Sequence, residues 1–197
     1  FARAPRVTLN TLIQAAWGWL LGTYAGHRQA LFGITLGGRP DTLADAEERV
    51  GLFINTLPLR VEWDREMAIG DWLHRIQDEA AELRQYEYSA LGRLKALSGI
   101  APDKALFEAI LVFENFPLDA SLSESALGDA SAEFRFSASE GGTRIGDVRL
   151  TQGRNDFPLS LIAIPSGEAF EFALSYARNR FADVQIRLML HHFQAVL

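Results

Sequence analysis

The sequence contains no cysteine among its 197 residues. That absence excludes disulfide bonds, thiolate metal sites and cysteine nucleophiles together. It also fits a reducing compartment, because disulfides are used mainly by secreted proteins. We therefore expect the protein to be cytoplasmic.

Two further absences limit its partners. The longest apolar stretches are far shorter than the roughly 20 residues that cross a bilayer, so we expect no membrane association. Lys and Arg together number 19 against 25 Asp and Glu, which gives a net charge of -6. Nonspecific nucleic-acid binding comes from Lys and Arg that neutralise phosphates, so we expect no nucleic-acid partner.

Easily recognised catalytic motifs are missing as well. No GxSxG nucleophile elbow occurs. Neither glycine pair, Gly37-Gly38 or Gly141-Gly142, is part of a phosphate-binding loop, because the Lys-Ser/Thr of such a loop and the spacing of a dinucleotide-binding motif are both missing. Both pairs predict turns instead. The four histidines are His27, His74, His191 and His192. None has the spacing of a zinc ligand set, so we expect no metal site.

What is present is an ordinary globular composition. Hydrophobic residues make up 48% and charged residues 22%, which is typical of soluble domains. A chain of this length forms one domain or two small lobes and buries roughly 70% of the surface that its unfolded form exposes. Phe1 stands where a Met would start a complete protein, so we expect the chain to be part of a longer one.

Apolar residues spaced by three and four predict helices over 8–24, 69–86, 89–97 and from about 186 to the last residue. Thr8 is placed to cap the first of these helices and Gly26 to end it. Ser89 and Gly99 have the same roles for the third helix. The helices are amphipathic, so we expect each of them to pack its apolar face against the core and to expose its polar face.

Strands are predicted between these helices. Continuous apolar runs at 31–36 and 107–113 are typical of strands covered on both faces. Alternation over 57–63 predicts a strand with one buried face, and Pro58 places it at an edge or a strand start. Two hairpins are predicted, from 134–139 with 144–151 and from 159–164 with 169–176. Residues 118–132 are rich in Ser, Ala, Asp and Gly and predict an exposed connection.

Helices and strands alternate only in part and hairpins are frequent. This pattern favours an α+β fold with helices packed on a mixed β-sheet.

One segment of the chain is unusual, because VGLFINTLPLR at 50–60 places Asn55 and Thr56 inside an apolar run. Asn is depleted in strands, and a buried amide without partners costs roughly 1–3 kcal/mol. Two interpretations follow with equal weight. Either neighbouring backbone satisfies the Asn55 amide, or the amide is a polar group in the wall of a cleft.

The same segment resembles the condensation-domain core motif GxFVNT followed by Arg. Other landmarks of that family follow in order along essentially the whole chain. They are the helix VTLNTLIQAAWGWLLGTYAG, the strand and turn FGITLGGRP, the motif QYEYSALGRL, the strand LFEAILVFENFP and the strand NDFPLSLIA. The chain therefore resembles the C-terminal lobe of a condensation domain from a nonribosomal peptide synthetase.

The resemblance implies a chloramphenicol-acetyltransferase-like lobe over residues 1–197, with the N-terminal lobe absent. The catalytic HHxxxDG motif of the family belongs to that absent lobe. His191-His192 does not replace it, because the Asp and Gly are missing and Phe193 follows directly. The resemblance thus implies no catalytic residue in this chain, which alone is expected to be inactive. The segment near 132–152 is either a latch that crosses to the other lobe or a local hairpin.

By the same resemblance, the complete domain is an amide-forming acyltransferase of antibiotic and other secondary-metabolite biosynthesis. Two lobes enclose a tunnel, and upstream and downstream carrier proteins present substrates on phosphopantetheine from its two ends. An adenylation domain is expected next to it, and no cofactor is expected to bind directly to the lobe. Two alternatives stay open: half of a CoA-dependent acyltransferase of the same fold, and a noncatalytic lobe that docks carrier proteins.

The expected site residues all lie in the unusual segment. We expect Asn55 to line or brace the tunnel. Arg60 either supports its strand or an inter-lobe contact, or is an ordinary surface arginine. Phe53 and Thr56 complete the motif as supporting residues.

Overall fold

The computed structural model describes residues 6–37, 45, 48, 50–51, 53–113, 131–139, 142–151, 157–166 and 169–197. The helices are α1 Leu9–Tyr24, α2 Ile69–Leu83, α3 Leu91–Leu97 and α4 Asp183–Val196, with a 3₁₀ turn at Arg84–Tyr86. The strands are β1 Gln29–Gly37, β2 Ile54–Glu62, β3 Ala109–Phe113, β4 Ser131–Ser139, β5 Gly142–Thr151, β6 Leu159–Ser166 and β7 Ala169–Ala177.

The strands form one mixed sheet, which in the described ranges has the order β2-β1-β3-β6-β7-β4-β5. β1, β3 and β6 run parallel to one another, and the remaining neighbours are antiparallel. The predicted mixed sheet is thereby confirmed, as are both predicted hairpins, β4–β5 and β6–β7. Pro58 lies within β2, and β2 is the edge strand that the proline predicts.

The first helix follows its sequence pattern closely. Thr8 caps α1, because its Oγ1 accepts a hydrogen bond from the Thr11 amide at 3.2 Å. Gly26 follows the helix with φ +73°, a left-handed conformation that favours glycine. The apolar face of α1 is buried, and Trp17 is only 1% exposed.

The core lies between one face of the sheet and the helices α1, α2 and α4. Alternate residues of the strands point into it, as a period of two requires. The Phe193 ring of α4 is fully buried and makes edge contacts with Trp17 and Phe172, with ring centroids 6.0 and 5.5 Å apart. These three aromatic side chains join α1, α4 and the sheet.

Several boundaries differ from the sequence predictions by a few residues. The N-cap of α3 is Ala90 and not Ser89, and no side chain caps that helix. β2 begins at Ile54, three residues before the predicted strand start at 57. The predicted connection 118–132 is wrong at its last two residues, which belong to β4; residues 118–130 lie outside the described ranges.

The β4–β5 hairpin extends the sheet through pairing of β4 with β7. β5 is consequently the edge opposite β2. The local hairpin exists, whereas a latch that reaches another lobe stays a prediction. Among the described helices, none has the length and apolar character needed to span a bilayer.

Gly33 in β1 is a close-packing position on the sheet face opposite the core helices. A Cβ atom there would meet the Phe107 ring and would lie 2.6 Å from the Thr56 methyl carbon. We expect Gly33→Ala to destabilise the chain by about 1–3 kcal/mol through overpacking, measured by thermal unfolding. Gly37→Ala is the matched control, because its Cβ would meet only Ile54 at 3.8 Å. Equal unfolding temperatures for the two variants would contradict this packing.

The start of α4 is tied to β7 by Asp183. Arg178 donates to Asp183 Oδ2 at 2.8 Å and the buried Tyr176 hydroxyl donates to Oδ1 at 2.8 Å. The Arg178 hydrogen bond, and after it the one from Tyr176, lower the pKa of the Asp183 carboxyl. Burial, and then the bond to Asp183, raise the pKa of the Tyr176 phenol.

Because of this arrangement, the stability of the chain is expected to decrease as the pH falls into the acidic range. A carboxyl whose pKa is lowered on folding stabilises the native state above its unfolded pKa of about 3.9 and loses that effect as pH falls through the folded value. We expect Asp183→Asn to unfold at a lower temperature than wild type at pH 7 and the difference to shrink below about pH 4. Thermal unfolding at pH 7 and about pH 3 tests this; a constant difference would contradict it.

Candidate functional site

A cleft of about 310 Å³ lies where the end of β1 meets the start of β2. One wall comes from these strands and the other from the connection between α2 and α3. We call it the Asn55 cleft; its lining residues are Leu36, Phe53, Ile54, Asn55, Glu87, Tyr88 and Ala90.

Asn55 joins the two walls. Its Nδ2 donates hydrogen bonds to the carbonyl oxygens of Glu87 at 2.6 Å and Ser89 at 2.9 Å. Its Oδ1 accepts the backbone N–H of Thr56 at 2.9 Å. The two carbonyl partners lie 32 and 34 residues away in sequence, so the amide is a long-range brace.

The local fold explains why Asn55 points this way. Asn55 pairs with Leu36 in the β1–β2 register, and this parity places its side chain on the sheet face that carries the helices. After α2 ends at Leu83, the 3₁₀ turn brings residues 87–89 back against that face. The amide of Asn55 is therefore hydrogen-bonded to backbone groups and also lies in the wall of a cleft. Both interpretations from the sequence hold for this residue.

The other expected site residues are not gathered in one place. Phe53 lines the Asn55 cleft. Thr56 points to the opposite face, where it pairs with Thr35 and packs near Gly33. Arg60 lies outside the cleft as well.

Arg60 is a surface residue. Its side chain is 65% exposed, and it forms an ion pair with Glu62 at 3.3 Å. Such exposed pairs contribute little to stability. Arg60 also borders a separate cleft of about 270 Å³ with Glu79 and Tyr86. Its position fits a surface arginine, and a role in an inter-lobe contact stays a prediction.

The two adjacent histidines take no part in the cleft. His191 and His192 are both exposed on α4, and neither lines the Asn55 cleft. His192 Nδ1 is 2.9 Å from the Tyr24 hydroxyl, which ties α4 to the end of α1. In the described part of the chain no group of three or more His, Cys, Asp or Glu is arranged to hold a metal ion.

Sequence reasoning missed the second wall of the cleft. Glu87 and Tyr88 belong to the motif QYEYSALGRL, but the pattern alone assigned them no place or role. The signal was their position directly after α2, where a polar and aromatic stretch interrupts the helical spacing.

The family model described as "Condensation domain" matches residues 1–197. One of the linear gramicidin synthase proteins of Brevibacillus parabrevis is 40% identical over 197 residues, which are 100% of this chain and 4% of that protein. A second protein of the same synthase is 38% identical over the same length, which is 2% of that protein. Bacitracin synthase 3 from Bacillus licheniformis is 30% identical over 196 residues, and 3% of it is covered.

Solved structures give the same fold at low sequence identity. The condensation domain of the Monacolin K polyketide synthase MokA superposes with a TM-score of 0.69 at 18% identity, covering 99% of this chain and 42% of that one. The first condensation domain of the calcium-dependent antibiotic synthetase gives 0.70 at 13% identity, covering 99% and 39%. The chain thus spans about two fifths of these condensation-domain structures and a few per cent of the synthetases. The predicted lobe fold is confirmed.

Proposed function

Since the chain belongs to the condensation-domain family of nonribosomal peptide synthetases, we propose that it is the acceptor-side and structural lobe of a domain that forms peptide bonds. The donor is an aminoacyl or peptidyl thioester on one carrier protein, and the acceptor is an amine on another. The observation that carries the proposal is the match along all 197 residues to the family and to a peptide synthetase at 40% identity.

The proposed chemistry is one acyl transfer. The amine nitrogen attacks the thioester carbonyl carbon, the C–N bond forms, the C–S bond breaks, and the thiol leaves with the proton that the amine loses. A free α-amine has a pKa of about 8, so a minority is already neutral at pH 7. Holding two reactants in the reacting geometry can lower the activation free energy by roughly 7–11 kcal/mol. General acid–base catalysis typically raises the rate by a factor of about 10² to 10⁴.

We propose that this chain positions the substrates and that the other lobe contributes the histidine motif. Asn55 supports that role, because it fixes the 87–89 segment to β2 by two hydrogen bonds. A cleft wall held in this way keeps its shape when substrate enters. The isolated lobe is then inactive, since it carries the wall and not the HHxxxDG side chains.

The proposed partners follow from the same premise. They are the N-terminal lobe, the upstream and downstream carrier proteins with their phosphopantetheine-bound substrates, and an adjacent adenylation domain. The coverage of 39–42% of condensation-domain structures leaves room for a second lobe of similar size. The β4–β5 hairpin is the proposed latch toward that lobe, because β5 is an edge of the sheet in the described ranges.

The test uses the complete synthetase that carries this chain, with both carrier proteins loaded with aminoacyl phosphopantetheine. We expect a dipeptidyl thioester on the downstream carrier, detected by intact-protein mass spectrometry. A downstream carrier with unloaded phosphopantetheine is the control and should gain no mass. Consumption of acyl-CoA without any carrier would instead favour the CoA-dependent acyltransferase. Carrier binding without product would favour a noncatalytic docking lobe.

A further inference from the structure

The hydrogen bonds of Asn55 leave no amide hydrogen for a substrate. Both hydrogens of Nδ2 are used by the carbonyls of Glu87 and Ser89. Asn55 therefore acts through the segment that it holds, and is a positioning residue. Glu87 and Tyr88 of that segment line the cleft, as does Ala90 directly after it.

Among the described residues that line the cleft, one is charged. Glu87 is acidic and half-buried, and none of the described lining residues is basic. In the part of the chain that the structure describes, the Glu87 carboxylate has no ion-pair partner. Apolar surface surrounds it, since Ile54 is 57% exposed and Tyr88 is 65% exposed beside it.

A single carboxylate bordered by apolar and aromatic surface suits a cation on a small organic group. If the proposed function holds, only the acceptor has this character at its reacting group, since the donor reacts at its thioester carbonyl carbon even where its aminoacyl group has an amine of its own. The acceptor carries a free α-amine, which with a pKa of about 8 is mostly ammonium at pH 7. The donor presents an acyl thioester at its reacting end.

Resting on the proposed function, we infer that Glu87 binds the ammonium form of the acceptor aminoacyl group and selects the amine-bearing substrate at this cleft. The amine attacks only after it has lost a proton. Glu87 therefore affects how tightly the acceptor binds and at which cleft it binds, and not the attack itself. Asn55 contributes by fixing the backbone that carries the carboxylate.

The experiment compares two ligands that differ in one terminal group, glycyl-aminopantetheine with an ammonium and glycolyl-aminopantetheine with a hydroxyl. Binding is measured by calorimetry on the complete synthetase without donor, so no reaction occurs. We expect wild type to bind the glycyl compound about tenfold more tightly, which is about 1.4 kcal/mol. In Glu87→Gln the two compounds should bind equally, with affinity for the glycolyl compound unchanged as evidence of an intact fold.

Glu82→Gln is the matched control, because Glu82 is an exposed acid at the end of α2 that does not line the Asn55 cleft. It should keep the tenfold preference. A preference that survives in Glu87→Gln, or is absent in wild type, overturns the inference. Neither result changes the outcome of the peptide-bond assay. A synthetase that makes dipeptide but does not prefer the glycyl compound would therefore refute the role of Glu87 and leave the proposed function standing.

Discussion

Asn55→Asp is expected to lower the rate of peptide-bond formation by about 10²-fold in the complete synthetase, because a displacement of about 1 Å in a positioning group costs that much. Asp has almost the shape of Asn but no N–H. Its carboxylate would face the carbonyl oxygens of Glu87 and Ser89, which now lie 2.6 and 2.9 Å from Nδ2. Repulsion between these oxygens separates the two cleft walls. Single-turnover formation of the dipeptidyl thioester measures the effect.

The companion variant Asn55→Ala removes the brace without adding charge, so it should lose less activity than Asn55→Asp. Asn179→Asp is the matched control, since Asn179 is exposed in the turn before α4. It introduces the same charge away from the cleft and should keep full activity. If Asn55→Asp were as active as Asn179→Asp, the brace would have no part in catalysis.

Phe193→Ala is expected to destabilise the chain by about 3–5 kcal/mol, the usual cost of removing a fully buried aromatic ring. The Phe193 ring is 0% exposed and contacts both Trp17 and Phe172. Its loss leaves a cavity where α4, α1 and the sheet meet. Thermal unfolding of the chain measures the change.

The control for that change is Leu188→Ala on the same helix, because Leu188 is 51% exposed. A substitution there should stay within about 0.5 kcal/mol of wild type. Similar losses for the two variants would contradict a specific contribution from the buried aromatic contact.

The elements that depend on local chemistry were predictable. The apolar spacing and the Thr8 cap define α1, and both act within a few residues of each other. Pro58 predicted an edge or a strand start for β2, because a proline in a central strand removes a hydrogen bond from the ladder, and β2 is an edge strand. The alternation of apolar residues likewise predicted which face of β2 is buried.

The parts that sequence reasoning missed depend on long-range contacts. Ser89 has the chemistry of an N-cap, yet its carbonyl is used by Asn55 and the helix begins after Ala90. Glu87 enters the cleft because the same amide holds its backbone from 32 residues away. No local pattern contains such a contact, so the second wall of the cleft was visible only in the structure.

The position of Pro58 also determines how this sheet can grow. The β1–β2 ladder pairs nine residues in unbroken register, so Pro58 occupies a position whose nitrogen faces away from β1. An incoming strand would meet a ring without an N–H there. Trp72 Nε1 and the Arg75 side chain also occupy the Glu62 carbonyl at the end of the strand. In the part of the chain that the structure describes, addition of a further strand is therefore disfavoured at the β2 edge, which leaves β5 as the other edge of the sheet.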